Sequence, residues 1–298
     1  MSPPSTLRAA LLLGAGAILI SFSAVFVRLA DVAPTTSGFY RMAFGTLALL
    51  VLMWARPETR AGLRENWTGS LLIGLFFAFD IWFWHQSILY IGPGLSTLLA
   101  NFQVFMLTAI GVIWLRERVG WRFAGGLALA MSGLWLLFGR DWAGLSPDYR
   151  LGVIFGLLTA LAYGCYILSL RGFQIRHPKI RAEARLTQVS VCCGVILAVV
   201  NLLEGNSFAI PDTTSLLALI GLGVFCQVIG WLLITNGMPF LPAALVGLLL
   251  LIQPSASIVW DIGFFGLRLD PLSITGATLA LLGIYLGFRS ASRRKIAG

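Results

Sequence analysis

Apolar residues run along this chain in blocks of about twenty, broken by short clusters of Gly, Pro and charged residues. Ten such blocks can be read: roughly 8–29, 35–55, 68–91, 95–115, 121–139, 151–171, 184–203, 214–236, 243–265 and 271–289. Each has the length a helix needs to cross a bilayer. Runs such as Leu245 to Ile252 do not alternate apolar and polar residues, as the strands of a membrane barrel would. The longest polar stretch, about Gly172 to Arg185, is too short for a soluble domain. The pattern predicts an all-α membrane protein of ten transmembrane helices. The first block is longer than the apolar core of a signal peptide and has a counterpart at 150–171, so it is expected to stay as a helix.

The blocks also repeat. Residues 103–137 lie on 253–287 at a constant offset of 150, which pairs Gln103 with Gln253, Arg118 with Arg268, Gly126 with Gly276 and Gly133 with Gly283. Upstream the offset is 149, pairing Gly74 with Gly223, Trp82 with Trp231 and Pro93 with Pro242. At the start it is 142, pairing Arg8 with Arg150 and Gly14 with Gly156. The chain therefore divides into a first five-helix repeat at 1–140, a second at 150–289 and a basic tail at 290–298. Five spans per repeat, an odd number, give the copies opposite orientations. Two inverted-topology five-helix repeats around a central cavity are the architecture of secondary transporters.

Composition agrees with the pattern. The chain is 58% hydrophobic and 11% charged, with a mean hydropathy of +0.89. Its net charge of +9 would suggest nucleic acid were it not so unevenly placed. With the N-terminus cytoplasmic, sixteen Lys and Arg fall near the cytoplasmic ends of the spans. The far side holds only Arg28, Arg140, Arg150 and Arg268. That asymmetry predicts both termini in the cytoplasm of a multi-pass plasma-membrane protein, in a bacterium the inner membrane, and it leaves no need for nucleic acid. The four cysteines, Cys165, Cys192, Cys193 and Cys226, all lie inside spans and read as small buried hydrophobes. No cofactor is implied. His85 is the only histidine inside a span, so no metal site is expected.

Small residues at fours and sevens build the scaffold: Ala10 and Gly14, Gly152 and Gly156, and the pairs Gly126/Gly133 and Gly276/Gly283 let backbones approach closely. Pro93 and Pro242 precede the fourth and ninth blocks, where proline suits a first helical turn. Pro254 lies deep in the ninth block, opposite Val104, and reads as an asymmetric kink that acts as a hinge or stays static.

These features resemble the drug/metabolite transporter superfamily, and within it the ten-helix EamA family, over nearly the whole chain. The resemblance rests on the run Val112-Ile-Trp-Leu-Arg-Glu-Arg-Val119 followed by Gly126 and Gly133, and on Pro254 followed by Gly276 and Gly283. The second copy has Leu267 where the first has Glu117, and the first has Val104 at the proline position. Aromatic richness and the Gln253–Pro254 pair make the chain most similar to YddG-type exporters of aromatic amino acids. The resemblance implies a basket of helices around a central cavity lined by helices three, four, eight and nine, with one and six.

Polar groups inside a membrane are costly unless they face protein or water, so each is a candidate contact. In the third block Trp82, His85 and Gln86 share a face by spacing, an aromatic plate beside an imidazole and an amide. Asn101 and Gln103 are about 200° apart on a helix, so at most one meets substrate, and Asn101 is preferred. Gln253, Ser257 and Asp261 make a polar stripe in the ninth block, with Gln253 the leading candidate. Tyr163 and Tyr166 share a face in the sixth, and Trp231 repeats Trp82 in the eighth. Asp80 and Arg41 are read as a neutralising structural pair or, for Asp80, as a proton-coupling carboxylate.

Together these point to a monomeric, lipid-embedded secondary transporter that exports neutral, chiefly aromatic amino acids by alternating access. Export of cationic drugs or other small metabolites by the same architecture is the alternative. A membrane enzyme would need a nucleophile with a base, paired carboxylates or a metal cluster, and Asp80 and His85 stand about 140° apart on their helix. A channel would need a continuous polar pore, which the unequal halves do not provide. No phosphate-binding glycine loop is present.

Overall fold

The computed structural model describes residues 5–103, 107, 110, 113, 116, 120–138, 146–265 and 271–294. Among them every regular element is a helix: α1 Thr6–Ser21, α2 Ser23–Leu29, α3 Pro34–Ala55, α4 Trp67–Ala100, α5 Trp121–Phe138, α6 Pro147–Arg176, α7 Ala182–Leu203, α8 Thr213–Gly221, a π-helical segment Leu222–Gly230, α9 Trp231–Gly237, α10 Ala243–Leu250, α11 Ile252–Phe265 and α12 Pro271–Arg294. Backbone groups in hydrocarbon must be bonded within the protein, and helices do this segment by segment. Seven stretches of the described residues are long and apolar enough to cross a membrane: Thr6–Leu29, Pro34–Ala55, Trp67–Ile91, Pro147–Arg176, Ala182–Leu203, Thr213–Phe240 and Ala243–Phe264. They coincide with seven of the ten apolar blocks. The fifth and tenth blocks are occupied by α5 and α12. Much of the fourth, and with it Val104, Glu117, Arg118, Arg140, Leu267 and Arg268, lies outside the described residues.

One boundary differs from the sequence expectation. The backbone of α4 stays helical through Gly92, Pro93 and Gly94, where a connection is expected. A straight helix would separate Trp84 from Thr97 by about 20 Å. The Trp84 indole nevertheless donates to Thr97 Oγ1 at 3.4 Å, and a Cβ on Gly156 would touch both Ser87 and Leu99. The chain therefore doubles back between Ile91 and Ser96.

The helices of one half pack chiefly on helices of the other. The most extensive packing joins α4 to α6, α5 to α12, α3 to α7, α4 to α7 and α1 to α9. Glycines set these crossings. A Cβ at Gly152 would collide with Tyr90 and Ile91, and one at Gly283 would strike the backbone of Gly126 and Ala130. Close backbone approach replaces the hydrophobic effect that drives such packing in water. The largest of the apolar cores that result buries Leu13, Ile73, Leu170, Ile234, Leu245 and Leu249, toward the end of the molecule that carries the N-terminus.

At the other end, α7 stops on Gly205 with φ +70°. The Asn206 N–H returns to Asn201 O at 3.1 Å and the Gly205 N–H to Leu202 O at 3.1 Å. Both bonds require a left-handed residue after the last turn, a conformation glycine adopts without strain. This turn presents Glu204 to α4.

Candidate functional site

Four irregularities in the helices ring one cavity. The first is the break at Phe22 between α1 and α2, where the Phe22 N–H falls back on Leu19 O at 3.3 Å. Two more are tight turns: Phe102 N–H to Leu99 O at 3.0 Å after α4, and Leu251 N–H to Leu248 O at 3.2 Å between α10 and α11. The fourth is the π-helical segment. Irregular backbone at this depth is tolerated where it is enclosed by protein or lines a polar cavity. The turns at Asn101 and Leu251 fall at matched positions of the two repeats. The interruption is thus shared, although only the second copy carries a proline. Pro254 itself sits in the first turn of α11, where its missing N–H is not needed, and the interruption of the ninth block falls at Leu251, three residues before it.

The cavity between these irregularities holds about 680 Å³ of empty space, counting its open mouth. Arg41 (α3), Phe77, Asp80, Trp84 and Asn101 (α4 and its end), Tyr163 (α6), Trp231 (α9) and Gln253 with Ser257 (α11) line it, with Ile20, Ser21 and Ser23 of the first break. The floor is aromatic. Phe77 stacks on Tyr166 with ring centroids 4.3 Å apart, and Trp231 meets Tyr166 edge-on at 4.9 Å and Tyr163 at 6.3 Å. Offset and edge-on pairs of this kind fix ring orientations.

The polar groups are held by hydrogen bonds. Gln253 Nε2 donates to the Tyr163 hydroxyl at 3.3 Å. Asn101 Nδ2 donates to Thr97 O at 2.7 Å. Ser257 donates to the Ser21 carbonyl, which the α1–α2 break leaves free, at 3.1 Å. Trp260 fastens the same break, donating to Ser21 Oγ at 2.6 Å and stacking on Phe22 at 4.2 Å. Arg41 is buried; its Nε donates to Gln227 Oε1 at 3.1 Å, and Gln227 in turn donates to Ser190 at 3.0 Å.

Of the residues singled out in the sequence, Gln253, Asn101, Tyr163, Trp231, Asp80 and Arg41 are thus brought to one cavity. Trp82, His85 and Gln86 are not. Trp82 Nε1 donates to Glu204 at 2.7 Å, Gln86 donates to the same oxygen at 3.4 Å, and Trp82 packs edge-on against Phe155. His85 is 3% exposed and lies against Gly38 of α3. The spacing argument found a real helical face of α4, but the cavity takes the neighbouring row: Phe77, Asp80, Ile81 and Trp84. Following that row from Asp80 would have found Phe77 and Trp84. Gln103, paired with Gln253 by the repeat, is fully buried and does not line the cavity. Pro254 is buried just behind Gln253, and the side chain of Asp261 lies outside the described residues. Arg41 and Asp80 share the cavity, yet no ion pair within 4.0 Å joins them among the described residues. Sequence reasoning also missed Gln227, whose only signal was a lone amide in an apolar block. Among the described residues no group of three His, Cys, Asp or Glu is arranged to hold a metal ion.

Comparison with known proteins fits this geometry. A solved crystal structure superposes on 97% of this chain and 99% of its own with a TM-score of 0.81, at 19% identity, and so shares the fold. The uncharacterized transporter YwfM of Bacillus subtilis (strain 168) is 24% identical over 272 residues, spanning 89% of this chain and 87% of that protein. The model of the EamA-like transporter family matches twice, over residues 7–139 and 150–289, so the internal repeat read from the sequence corresponds to two copies of one family unit. A multi-pass helical membrane protein made of two such units around a polar-lined cavity is a transporter, and the chain belongs to the EamA-like transporter family.

Proposed function

We propose that this protein exports neutral, chiefly aromatic amino acids across the inner membrane of a bacterium by alternating access between two inverted repeats. The observation that carries the substrate class is the make-up of the cavity: an aromatic floor of Phe77, Tyr163 and Trp231 beneath a few amides and one charge of each sign. Flat apolar walls suit an apolar or aromatic side chain. Phosphorylated substrates call for several cations facing one site, and among the described residues Arg41 is the only cationic one lining this cavity.

Orientation rests on the sixteen-to-four distribution of Lys and Arg, which supports a cytoplasmic side for both termini. In that orientation the packed core closes the cytoplasmic side, and the cavity, whose lining climbs to Ser23, Ala24 and Trp84, opens outward. Moving between states then requires the matched turns at Asn101 and Leu251 to change while the glycine crossings hold, the division of labour expected where packed elements shift as units. Counterflow of radiolabelled amino acids in liposomes tests the reading. Unlabelled phenylalanine, leucine or another neutral amino acid inside should accelerate uptake of its labelled form. Acceleration by cationic drugs alone would replace the amino-acid assignment, and flux without trans-acceleration would replace alternating access.

A further inference from the structure

Two side chains of opposite charge type, Arg41 and Asp80, line the cavity with no ion pair within 4.0 Å between them. Arg41 is 8% exposed and is held from behind: its Nε is fixed by Gln227, Gln227 by Ser190, and the guanidinium carbon lies 5.6 Å from the centre of the Phe77 ring. Asp80, one turn along α4 from Phe77, reaches the same space and makes no hydrogen bond or ion pair with any described residue. Opposite charges buried at membrane depth ordinarily meet directly, because each relieves the other's lost hydration. Here the arginine is oriented by an amide chain that leaves its two terminal nitrogens free of protein partners among the described residues. A fixed guanidinium is a planar, forked donor matched to a carboxylate.

We infer that Arg41 and Asp80 form a divided receptor for a zwitterion. The Arg41 guanidinium takes the carboxylate of the bound amino acid, and the Asp80 carboxylate takes its ammonium. The inference deepens the amino-acid reading above and rests on it. An α-amino acid carries both charges on one carbon and so bridges the two groups, while its side chain lies on Phe77, Trp84 and Trp231. A monovalent cation satisfies Asp80 and leaves Arg41 uncompensated and repulsive; an anion does the reverse. The site thereby rejects most metabolites by the charge they leave unmet, a form of selection stronger than apolar fit alone.

The test is a binding series on the purified full-length protein in nanodiscs, using L-phenylalanine and L-leucine. Each is set beside its deaminated acid (3-phenylpropionate, 4-methylpentanoate) and its decarboxylated amine (2-phenylethylamine, 3-methylbutylamine). The better-bound amino acid should bind roughly 30-fold or more tightly than either of its analogues, the low end of the cost of an unpaired buried charge. Asp80→Asn should erase the preference over the acid and keep the preference over the amine; Arg41→Gln should do the opposite. If either variant fails to fold, the unmodified protein decides alone. Analogues that bind within about threefold of their parent, or preferences that survive both substitutions, overturn the divided receptor and leave the amino-acid reading standing. Failure of both amino acids to bind and to show counterflow removes that reading, and the receptor with it.

Discussion

Helix α4 and the span Thr213–Phe240 carry the same landmarks eight residues apart, Gly74 and Trp82 in one, Gly223 and Trp231 in the other. The glycines do the same work. A Cβ at Gly74 would press on Cys192 of α7, and one at Gly223 on Phe44 and Gly45 of α3, so each marks a tight crossing with a helix of the opposite half. The tryptophans part company. Trp231 is 1% exposed and forms the cavity floor, whereas Trp82 turns to the C-terminal end of α7 and bonds Glu204. Between glycine and tryptophan α4 is regular and the later span is π-helical over Leu222–Gly230. Bonding to the fifth residue back closes each loop over one more residue than an α-helix does, which rotates everything downstream. The scaffold follows the repeat, and a local change of helical pitch decides which copy of a residue serves the site.

Removing one residue from the π-helical segment would put this comparison under the greatest strain. Deletion of Ile229, which is 40% exposed and so gives up little packing, should let the segment relax to α and swing Trp231 out of the floor. Amino-acid counterflow should fall by roughly 100-fold, the penalty for ångström-scale misplacement of a contact, with a normal helical circular-dichroism spectrum. Undiminished counterflow in a folded deletion variant would mean that the π stretch does not set the register.

The next step separates the paired tryptophans. Trp231→Ala should lower stability by about 3–5 kcal/mol, as loss of a fully packed large side chain does, and should impair counterflow. Trp82→Ala should cost about 1 kcal/mol, near the worth of one hydrogen bond, and leave counterflow close to normal. Thermal unfolding of both proteins in the same detergent reads the difference. Equal losses in the two variants would erase the distinction between floor and outer face.

Gln253 tests the floor's polar rim. Its amide bonds Tyr163 across two spans in a cavity where few groups can fix a substrate's orientation. Gln253→Ala should weaken counterflow about 5- to 10-fold, the equivalent of one neutral hydrogen bond or slightly more, while expression and melting stay near normal. Counterflow unchanged for every neutral amino acid would remove Gln253 from the site.

What could be read from the sequence follows from what repeats along it. Block length and glycine spacing report on bilayer thickness and helix contact, which act on every span alike; hence the blocks, the crossings at Gly152 and Gly283 and the candidates Gln253, Tyr163, Asp80 and Arg41 could all be read in advance. The face of α4 that meets the cavity could not. Trp82, His85 and Gln86 make as coherent a row as Phe77, Asp80, Ile81 and Trp84, and periodicity cannot rank two rows of one helix that is enclosed on several sides. Nor does any residue type mark a π-helical stretch: Leu222–Gly230 reads as an ordinary apolar run. Gln227 was passed over for the same reason, since its role depends on a neighbour, Arg41, nearly two hundred positions away in the chain.

The smallest effect concerns how the two spans begin. The later one starts on Asp212, whose carboxylate accepts from the Ser215 N–H at 2.8 Å and from the Ser215 hydroxyl at 3.0 Å. These bonds hold the Asp212 carboxyl below the usual carboxylate value of 3.8, as an N-cap that favours the ionised form should. Because the folded value is lowered, the cap's contribution is complete above the unfolded value and disappears as pH falls through the folded one. At its own start α4 relies on the Asn66 carbonyl, which accepts from the Ser70 N–H at 3.3 Å, and on no carboxylate. Amide exchange at Thr214, Ser215 and Leu216, corrected for intrinsic rates, should therefore rise as pH is lowered from about 6 to below 4, and exchange at the start of α4 should not. The Asp212→Asn variant should flatten the pH response while keeping most of the protection, since asparagine caps nearly as well without titrating. A response that persists in that variant would place its source in another group.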